Sequence, residues 1–175
     1  MLLVLAVLAG CSLANRPRVA HLSYRSVVDT RALTGFSFDS NFTRAVLNEL
    51  EKTWPVENAV CVYGKAIVDS FGPHIEFTGI SPAAIAQADE YNIWTADSLK
   101  AGCAPRADLV GWLHGHTQMM PYEVCSHSDT DAKHLTYQRD WLLSIVFCDD
   151  GRGEVLWQDG RRQWFEWMRR VSLTN

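Results

Sequence analysis

The sequence predicts a single α/β or α+β domain, in which helices flank one mixed β-sheet. Its 175 residues are about the length of one domain. Hydrophobic residues make up 47% and charged residues 21%, which is ordinary for a globular domain with one core. Helix-like and strand-like apolar patterns alternate along the chain, and this alternation is typical of a sheet that packs against helices.

Helices are predicted in three segments. The clearest is residues 40–54, where apolar side chains recur at a spacing of four and form one stripe: Phe42, Val46, Leu50 and Trp54. Pro55 ends this segment because proline cannot continue a helix. Residues 81–88 begin with Ser-Pro, a common helix start, and residues 131–139 predict a helical turn or two.

Strands are predicted from short apolar runs that are bounded by Gly, Pro or Asp. Residues 107–116 and 141–149 are the most apolar of these runs, and each predicts a buried strand. Residues 153–167 predict a hairpin that turns at Asp159-Gly160.

The charge pattern argues against binding to nucleic acid. The chain carries a net charge of -4, its isoelectric point is near 5.8, and it has no run of Lys or Arg. A nucleic-acid interface needs a basic patch to neutralise phosphates. We therefore expect no nucleic-acid partner.

The first eleven residues, MLLVLAVLAGC, differ from the rest of the chain. This apolar run is too short to span a bilayer as a helix, which takes about 20 residues. Its end, LAGC, resembles a bacterial lipobox, in which the peptide is cut before the cysteine and that cysteine receives a lipid. The resemblance implies a signal at residues 1–11 and membrane attachment through Cys11, in the cell envelope and facing the periplasm. The alternative is a plain hydrophobic N-terminus on a cytoplasmic protein.

Residues 12–39 show no clean period and are interpreted as an N-terminal extension, which leaves residues 40–175 as the folded domain. Four cysteines lie in this domain: Cys61, Cys103, Cys125 and Cys148. An even number fits one or two disulfides in an exported chain, whereas cytosolic cysteines would stay reduced. The sequence leaves the pairing open.

Two histidines, His114 and His116, end the first buried run in the stretch GWLHGH. Residues i and i+2 of a strand point to the same face, so both rings can reach one metal ion. Catalytic zinc typically takes three protein ligands and a water, and the following CSHSDTD stretch offers carboxylates. The same residues also fit two partly solvated histidines and a capping box between Ser128 and Asp131.

Glu57, in the stretch PVENAVCVYG, adds an independent signal upstream. The Glu after the first helix is followed by His-x-His on a strand and then, after a loop, by Ser-x-x-Asp. In this order of residues the chain resembles the JAMM/MPN (JAB-domain) zinc metalloprotease family, in its bacterial type. The resemblance covers about residues 40–150. It implies a single domain of the cytidine-deaminase-like, MPN type.

The resemblance also implies a chemistry. Zinc would be held by three ligands: His114, His116 and Asp131. Asp129 is the alternative carboxylate ligand. The activity implied is hydrolysis of an amide bond, peptide or isopeptide, in a peptide or protein substrate. Glu57 would act as general base, and Ser128 would donate a hydrogen bond to the developing oxyanion.

Two alternatives stay open beside this hydrolase. One is a metal-free MPN-like domain used for binding, and the other is a structural envelope lipoprotein in which the histidines are incidental. Two further histidines, His127 and His134, are interpreted as solvated surface side chains; the alternatives are that His127 substitutes as a ligand and that His134 shares a helical face with Asp131.

Overall fold

The structure is a computed structural model, and it describes residues 32–53, 56–88, 93–95, 102–116, 125–138, 140–148 and 151–166. The predictions made for the segment 1–11 with Cys11, for most of the extension 12–39, and for Trp54 and Pro55 lie outside these residues. None of the helices in the described part is long and apolar enough to cross a membrane.

Eleven elements follow one another in the described residues. They are β1 (Gly35–Ser37), α1 (Ser40–Leu50), β2 (Ala59–Asp69), β3 (Gly72–Pro82), β4 (Ile85–Ala88), β5 (Ile93–Thr95), β6 (Leu109–His116), α2 (Asp129–Tyr137), β7 (Leu143–Cys148), β8 (Arg152–Trp157) and β9 (Arg162–Glu166). The helix predicted to begin at residue 40, the two buried strands and the C-terminal hairpin are therefore confirmed as α1, β6, β7 and β8–β9. The helix ends at Leu50, however, and not at residue 54 as predicted, since residues 51–53 lie outside it.

The predicted α/β or α+β class, a mixed sheet flanked by helices in a cytidine-deaminase-like, MPN-type domain, is wrong. The protein is mostly β, with seven strands in one nearly closed, barrel-like sheet and only two helices among the described residues. The strand order is β1-β3-β2-β6-β7-β8-β9; β1 pairs with β3 and β6 pairs with β7 in parallel, and the other neighbours are antiparallel.

Long-range pairing explains why residues 81–88 form no helix. Ser81 and Pro82 extend β3 and lie opposite Cys61 and Val60 of β2. Residues 85–88 form β4, which pairs with β5. The Ser-Pro start is a local preference, and pairing with a neighbouring strand overrides it. Pro82 is tolerated because it is the last residue of its strand.

The two edge strands of the large sheet approach each other through side chains. Arg161 donates through Nη1 to the carbonyl oxygen of Leu33 at 2.9 Å, on the residues that flank β9 and β1. The rings of Phe36 and Phe165 meet edge to face, with centroids 5.4 Å apart. These contacts cover edges that would otherwise be open to pairing with another chain.

The main core lies on the face of the sheet that α1 covers, here called the α1 face. Asp39 caps α1 by accepting a hydrogen bond from the backbone N–H of Phe42 at 2.8 Å. Phe42 and Val46 are buried in a cluster with alternate residues of the central strands, among them Val60 and Leu113. The spacing of four in the sequence thus marks the buried stripe of this helix.

The opposite face, here called the α2 face, carries a second apolar cluster. Trp112 of β6, Leu135 of α2 and Trp141 before β7 are buried in it. Both faces of β6 are therefore covered, and its residues Leu109–Gly115 are all buried. This double burial accounts for the nearly continuous apolar run in the sequence.

Both pairs of domain cysteines form disulfides, Cys61–Cys103 and Cys125–Cys148. The first ties the segment before β6 to β2. The second ties the segment before α2 to the end of β7, where Cys148 is the register partner of His116. The even number of cysteines predicted one or two disulfides, and the structure has two. Their pairing is set by the fold.

The disulfides should stabilise the fold more for the longer of the two loops they close, which span 42 and 23 residues. The loss of unfolded-chain entropy predicts that Cys61→Ala/Cys103→Ala lowers the free energy of unfolding by about 4 kcal/mol and Cys125→Ala/Cys148→Ala by about 3 kcal/mol. Urea unfolding of the three proteins under non-reducing conditions measures both effects. Equal stability of the wild type with and without reductant would contradict this.

Candidate metal centre

Strand β6 presents His114 and His116 on the α2 face, with ring centroids 5.1 Å apart. His114 is buried with 2% exposure, and His116 is half-buried. Gly115 faces the other way: a Cβ there would lie 3.1 Å from Leu50 Cδ1 of α1. Glycine between the histidines thus lets α1 pack closely behind the strand.

Asp131 reaches the histidines from the first turn of α2. It is the third residue of this helix, which Ser128 caps. Its Oδ2 accepts hydrogen bonds from the Ser128 backbone N–H at 2.8 Å and from the Ser128 hydroxyl at 2.7 Å. Its Oδ1 lies 3.5 Å from His114 Nε2. One carboxylate oxygen is therefore held by the cap while the other faces the imidazoles.

The three side chains can bind one cation. His114, His116 and Asp131 each offer one ligand atom, and these atoms lie within 4.8 Å of one another. Both ring nitrogens of His114 are buried and make no hydrogen bond to any described residue. A buried imidazole whose nitrogens make no hydrogen bond is costly, and a metal ion would satisfy it. Two nitrogens and a carboxylate suit catalytic zinc, although other divalent first-row metals accept the same donors.

Charge is unevenly shared among these groups in the metal-free protein. Burial disfavours the charged form of His114, but the nearby Asp131 carboxylate outweighs burial and raises the pKa of His114. Burial, with the charge on His114, lowers the pKa of His116 to about 4. Burial works against ionisation of Asp131, yet His114 and Ser128 hold the pKa of that carboxyl well below its usual range. A metal would therefore find Asp131 ionised and would compete with protons for His114.

Glu57 lies beside this centre, on the segment that leads into β2. It is buried, with 8% exposure, and its charge contributes to the raised pKa of His114. The next residue, Asn58, anchors the segment twice: its carbonyl oxygen accepts from the Gly115 N–H at 3.1 Å, and its Nδ2 donates to the Glu49 carbonyl oxygen at 3.0 Å. The structure thus brings together the upstream carboxylate and the histidines that the sequence separates by 57 positions.

The remaining two predicted site residues, Ser128 and Asp129, lie at the start of α2. The single hydroxyl proton of Ser128 goes to Asp131 Oδ2, so in this arrangement Ser128 orients a candidate ligand. Its action on an oxyanion stays a prediction. Asp129 is exposed, and it is Asp131 that joins the histidines in the candidate group.

His127, predicted as a solvated loop residue, is in fact buried with 4% exposure. Its Nδ1 lies 2.7 Å from Glu154 Oε2, and its Nε2 lies 3.0 Å from Ser144 Oγ. No local pattern could have shown this, because Glu154 is 27 residues away. His134, predicted as a surface residue, is half-buried and has its ring 5.2 Å from that of Trp112.

Ser144, His127 and Glu154 have the pairwise contacts of a nucleophilic Ser-His-acid triad. Their surroundings exclude that chemistry, because Ser144 and Glu154 are both 0% exposed and no substrate can reach the serine. Trp112 Nε1 also donates to Ser144 Oγ at 3.0 Å. With the Trp112 donation in place, the Ser144 hydroxyl donates to His127 Nε2, and His127 Nδ1–H donates to Glu154. The network is saturated and structural.

Comparisons with known proteins add no family assignment. No protein-family model matches the sequence, and a search of curated proteins finds no match. The JAMM resemblance therefore depends on the ordered residues themselves. Function is inferred below from the chemistry that these residues bring together.

The buried His127–Glu154 pair predicts an acid-sensitive contribution to stability. Burial lowers the pKa of His127 below that of an unfolded histidine, near 6.5. The unfolded chain therefore binds a proton first, and the stabilisation present above about pH 6.5 is lost as the pH falls below it. Burial alone would raise the pKa of Glu154, but the bonds from His127 and the charge of Arg162 lower it, so its contribution is lost at still lower pH.

Urea unfolding of the metal-free wild type and His127→Gln, in chelator at pH 7.5, 6.5 and 5.5, tests this effect. The stability advantage of the wild type should shrink as the pH falls, because glutamine does not titrate. An advantage that stays constant or grows on acidification would show that His127 is not held neutral by the fold.

Proposed function

We propose that this chain is a zinc-dependent hydrolase of amide bonds, peptide or isopeptide, that works in the manner of the JAMM family. The observation that carries the proposal is the convergence of His114, His116 and Asp131, whose ligand atoms lie within 4.8 Å of one another. Support comes from the buried, unbonded nitrogens of His114 and from the nearby carboxylate of Glu57. Three protein ligands leave a fourth position for water or substrate, as catalytic zinc sites do.

The metal and two side chains, Glu57 and Ser128, have separate roles around that position. Zinc bound there would polarise a substrate carbonyl and lower the pKa of a water ligand toward about 7. Glu57 accepts the proton of the attacking water and then passes it to the leaving amine, as a general base and then acid. Ser128 keeps Asp131 turned toward the histidines.

The two disulfides favour an oxidising compartment, because such bonds persist in exported proteins and are rare in the cytosol. We extend the proposal accordingly: the domain acts in the cell envelope, attached to the membrane through a lipid on Cys11. The substrate there would be a secreted or cell-wall-linked peptide or protein. Mass spectrometry of the mature N-terminus tests this extension separately from the chemistry.

Zinc content is the first test. Wild-type protein purified without chelators should hold about one zinc per chain, measured by atomic emission, because one set of three ligands is present. His116→Ala should lose that zinc. His74→Gln is a matched control, since His74 is a buried histidine of β3 that is outside the candidate group. Wild type without zinc would favour the metal-free binding domain or the structural lipoprotein.

Glu57→Gln separates catalysis from metal binding. Glutamine keeps the size of the side chain but cannot take up the proton, so zinc should stay bound while amide hydrolysis falls by about a hundredfold or more. The assay uses a quenched fluorescent peptide library together with a lysine isopeptide substrate. His114→Ala should lose both zinc and activity. A Glu57→Gln protein that hydrolyses amides at the wild-type rate would refute the assignment.

A further inference from the structure

A buried carboxylate lies close behind the candidate metal centre and takes no part in the chemistry above. Glu154 of β8 is 0% exposed. Its Oε2 accepts hydrogen bonds from the His127 backbone N–H at 2.8 Å, from His127 Nδ1 at 2.7 Å, and from Arg162 Nη1 at 3.1 Å. A buried charge persists only when it is paired and hydrogen-bonded. Both conditions are met here, so Glu154 is a strong anchor.

The anchor holds one specific point of the chain. His127 immediately precedes Ser128, the capping residue of α2, and Glu154 grips both the backbone and the ring of His127. Asp131 follows within the first turn of this helix. The position of its carboxylate opposite His114 therefore depends on where His127 is held.

The ring and apolar contacts of α2 lie beyond Asp131: Leu135 is buried in the second cluster, and the ring of His134 packs on Trp112. The helix has nine residues, and Leu135 is its one buried side chain. Helices of this length are marginal without tertiary support. The Cys125–Cys148 disulfide restrains the chain two residues before His127. The two bonds from His127 to Glu154 restrain the residue next to the helix start itself.

We propose that Glu154 and His127 are positioning residues, which hold the first turn of α2 so that Asp131 faces the two histidines. This inference rests on the proposed metal site, because Asp131 matters as a ligand only there. Partners behind metal ligands commonly change metal affinity by about 10- to 100-fold when they are lost. Glu154 does not bond to a metal ligand directly. It bonds to His127, whose backbone leads into the helix that carries Asp131.

The test compares zinc dissociation constants, measured by chelator competition, for the wild type and its variants. Glu154→Leu removes every acceptor and should weaken zinc binding by about 10- to 100-fold. Glu154→Gln keeps an oxygen for the His127 donors and should retain most of the affinity. His127→Leu replaces Glu154→Leu if the latter does not fold. His74→Gln, a buried histidine on another strand, is the control and should bind zinc as the wild type does.

A double-mutant cycle shows whether Glu154 acts through Asp131. Asp131→Ala keeps two imidazole ligands, so its weaker zinc binding stays measurable by calorimetry. Adding Glu154→Leu to this variant should then cost no further affinity, because the carboxylate being positioned is gone. Cobalt substitution gives a second readout: the visible spectrum of Glu154→Leu should resemble that of Asp131→Ala, a change that simple loss of stability does not cause.

Each outcome is decisive. The positioning role is overturned if Glu154→Leu binds zinc with unchanged affinity. It is also overturned if Glu154→Leu lowers the affinity equally in the presence and absence of Asp131. Neither result bears on the metal site itself. A Glu154→Gln protein as weak as Glu154→Leu shows that charge, and not the hold on His127, is what matters, and also overturns the positioning role. A wild type that binds no zinc overturns the metal site itself, and this inference with it.

Discussion

The position of β6 in the middle of the sheet is the constraint on which the rest of the structure depends. It pairs with β2 in antiparallel and with β7 in parallel orientation, and both of its faces are covered. Two glycines permit this: a Cβ at Gly111 would meet the carbonyl oxygen of Leu143, and one at Gly115 would press on Leu50. A strand held so firmly gives His114 and His116 fixed directions, as a metal centre requires.

The other two side chains of the candidate centre, Glu57 and Asp131, reach this strand from two other segments of the chain. The segment of Glu57 is fastened to the strand by the bond between the Asn58 carbonyl oxygen and the Gly115 N–H. Asp131 comes from a short helix whose start is held by a capping box, a disulfide and the buried Glu154. His114 and His116 are thus held rigidly by strand pairing, whereas Asp131 is held only by the contacts around the start of its helix.

The buried carboxylates around the centre have different partners. Asp131 and Glu57 face His114, and Arg162 and His127 face Glu154. The carboxylate of Glu154 is bonded to groups other than the candidate ligands, although the ring centroids of His114 and His127 are only 6.0 Å apart. A divalent cation bound at the centre would face the same two carboxylates, Asp131 and Glu57, whose charges raise the pKa of His114.

The sequence by itself determined the features that depend on local periodicity. The spacing of four marked the buried stripe of α1, the alternation along GWLHGH placed two imidazoles on one face, and Ser128 with Asp131 formed the capping box that their spacing allows. Only the tertiary structure decided the fold class, the disulfide partners and the burial of His127. Ser81 and Pro82 joined β3 because β2 lay beside them, and His127 became buried because Glu154 met it from 27 residues away. Such choices rest on the free energy of long-range contacts, which local patterns do not contain.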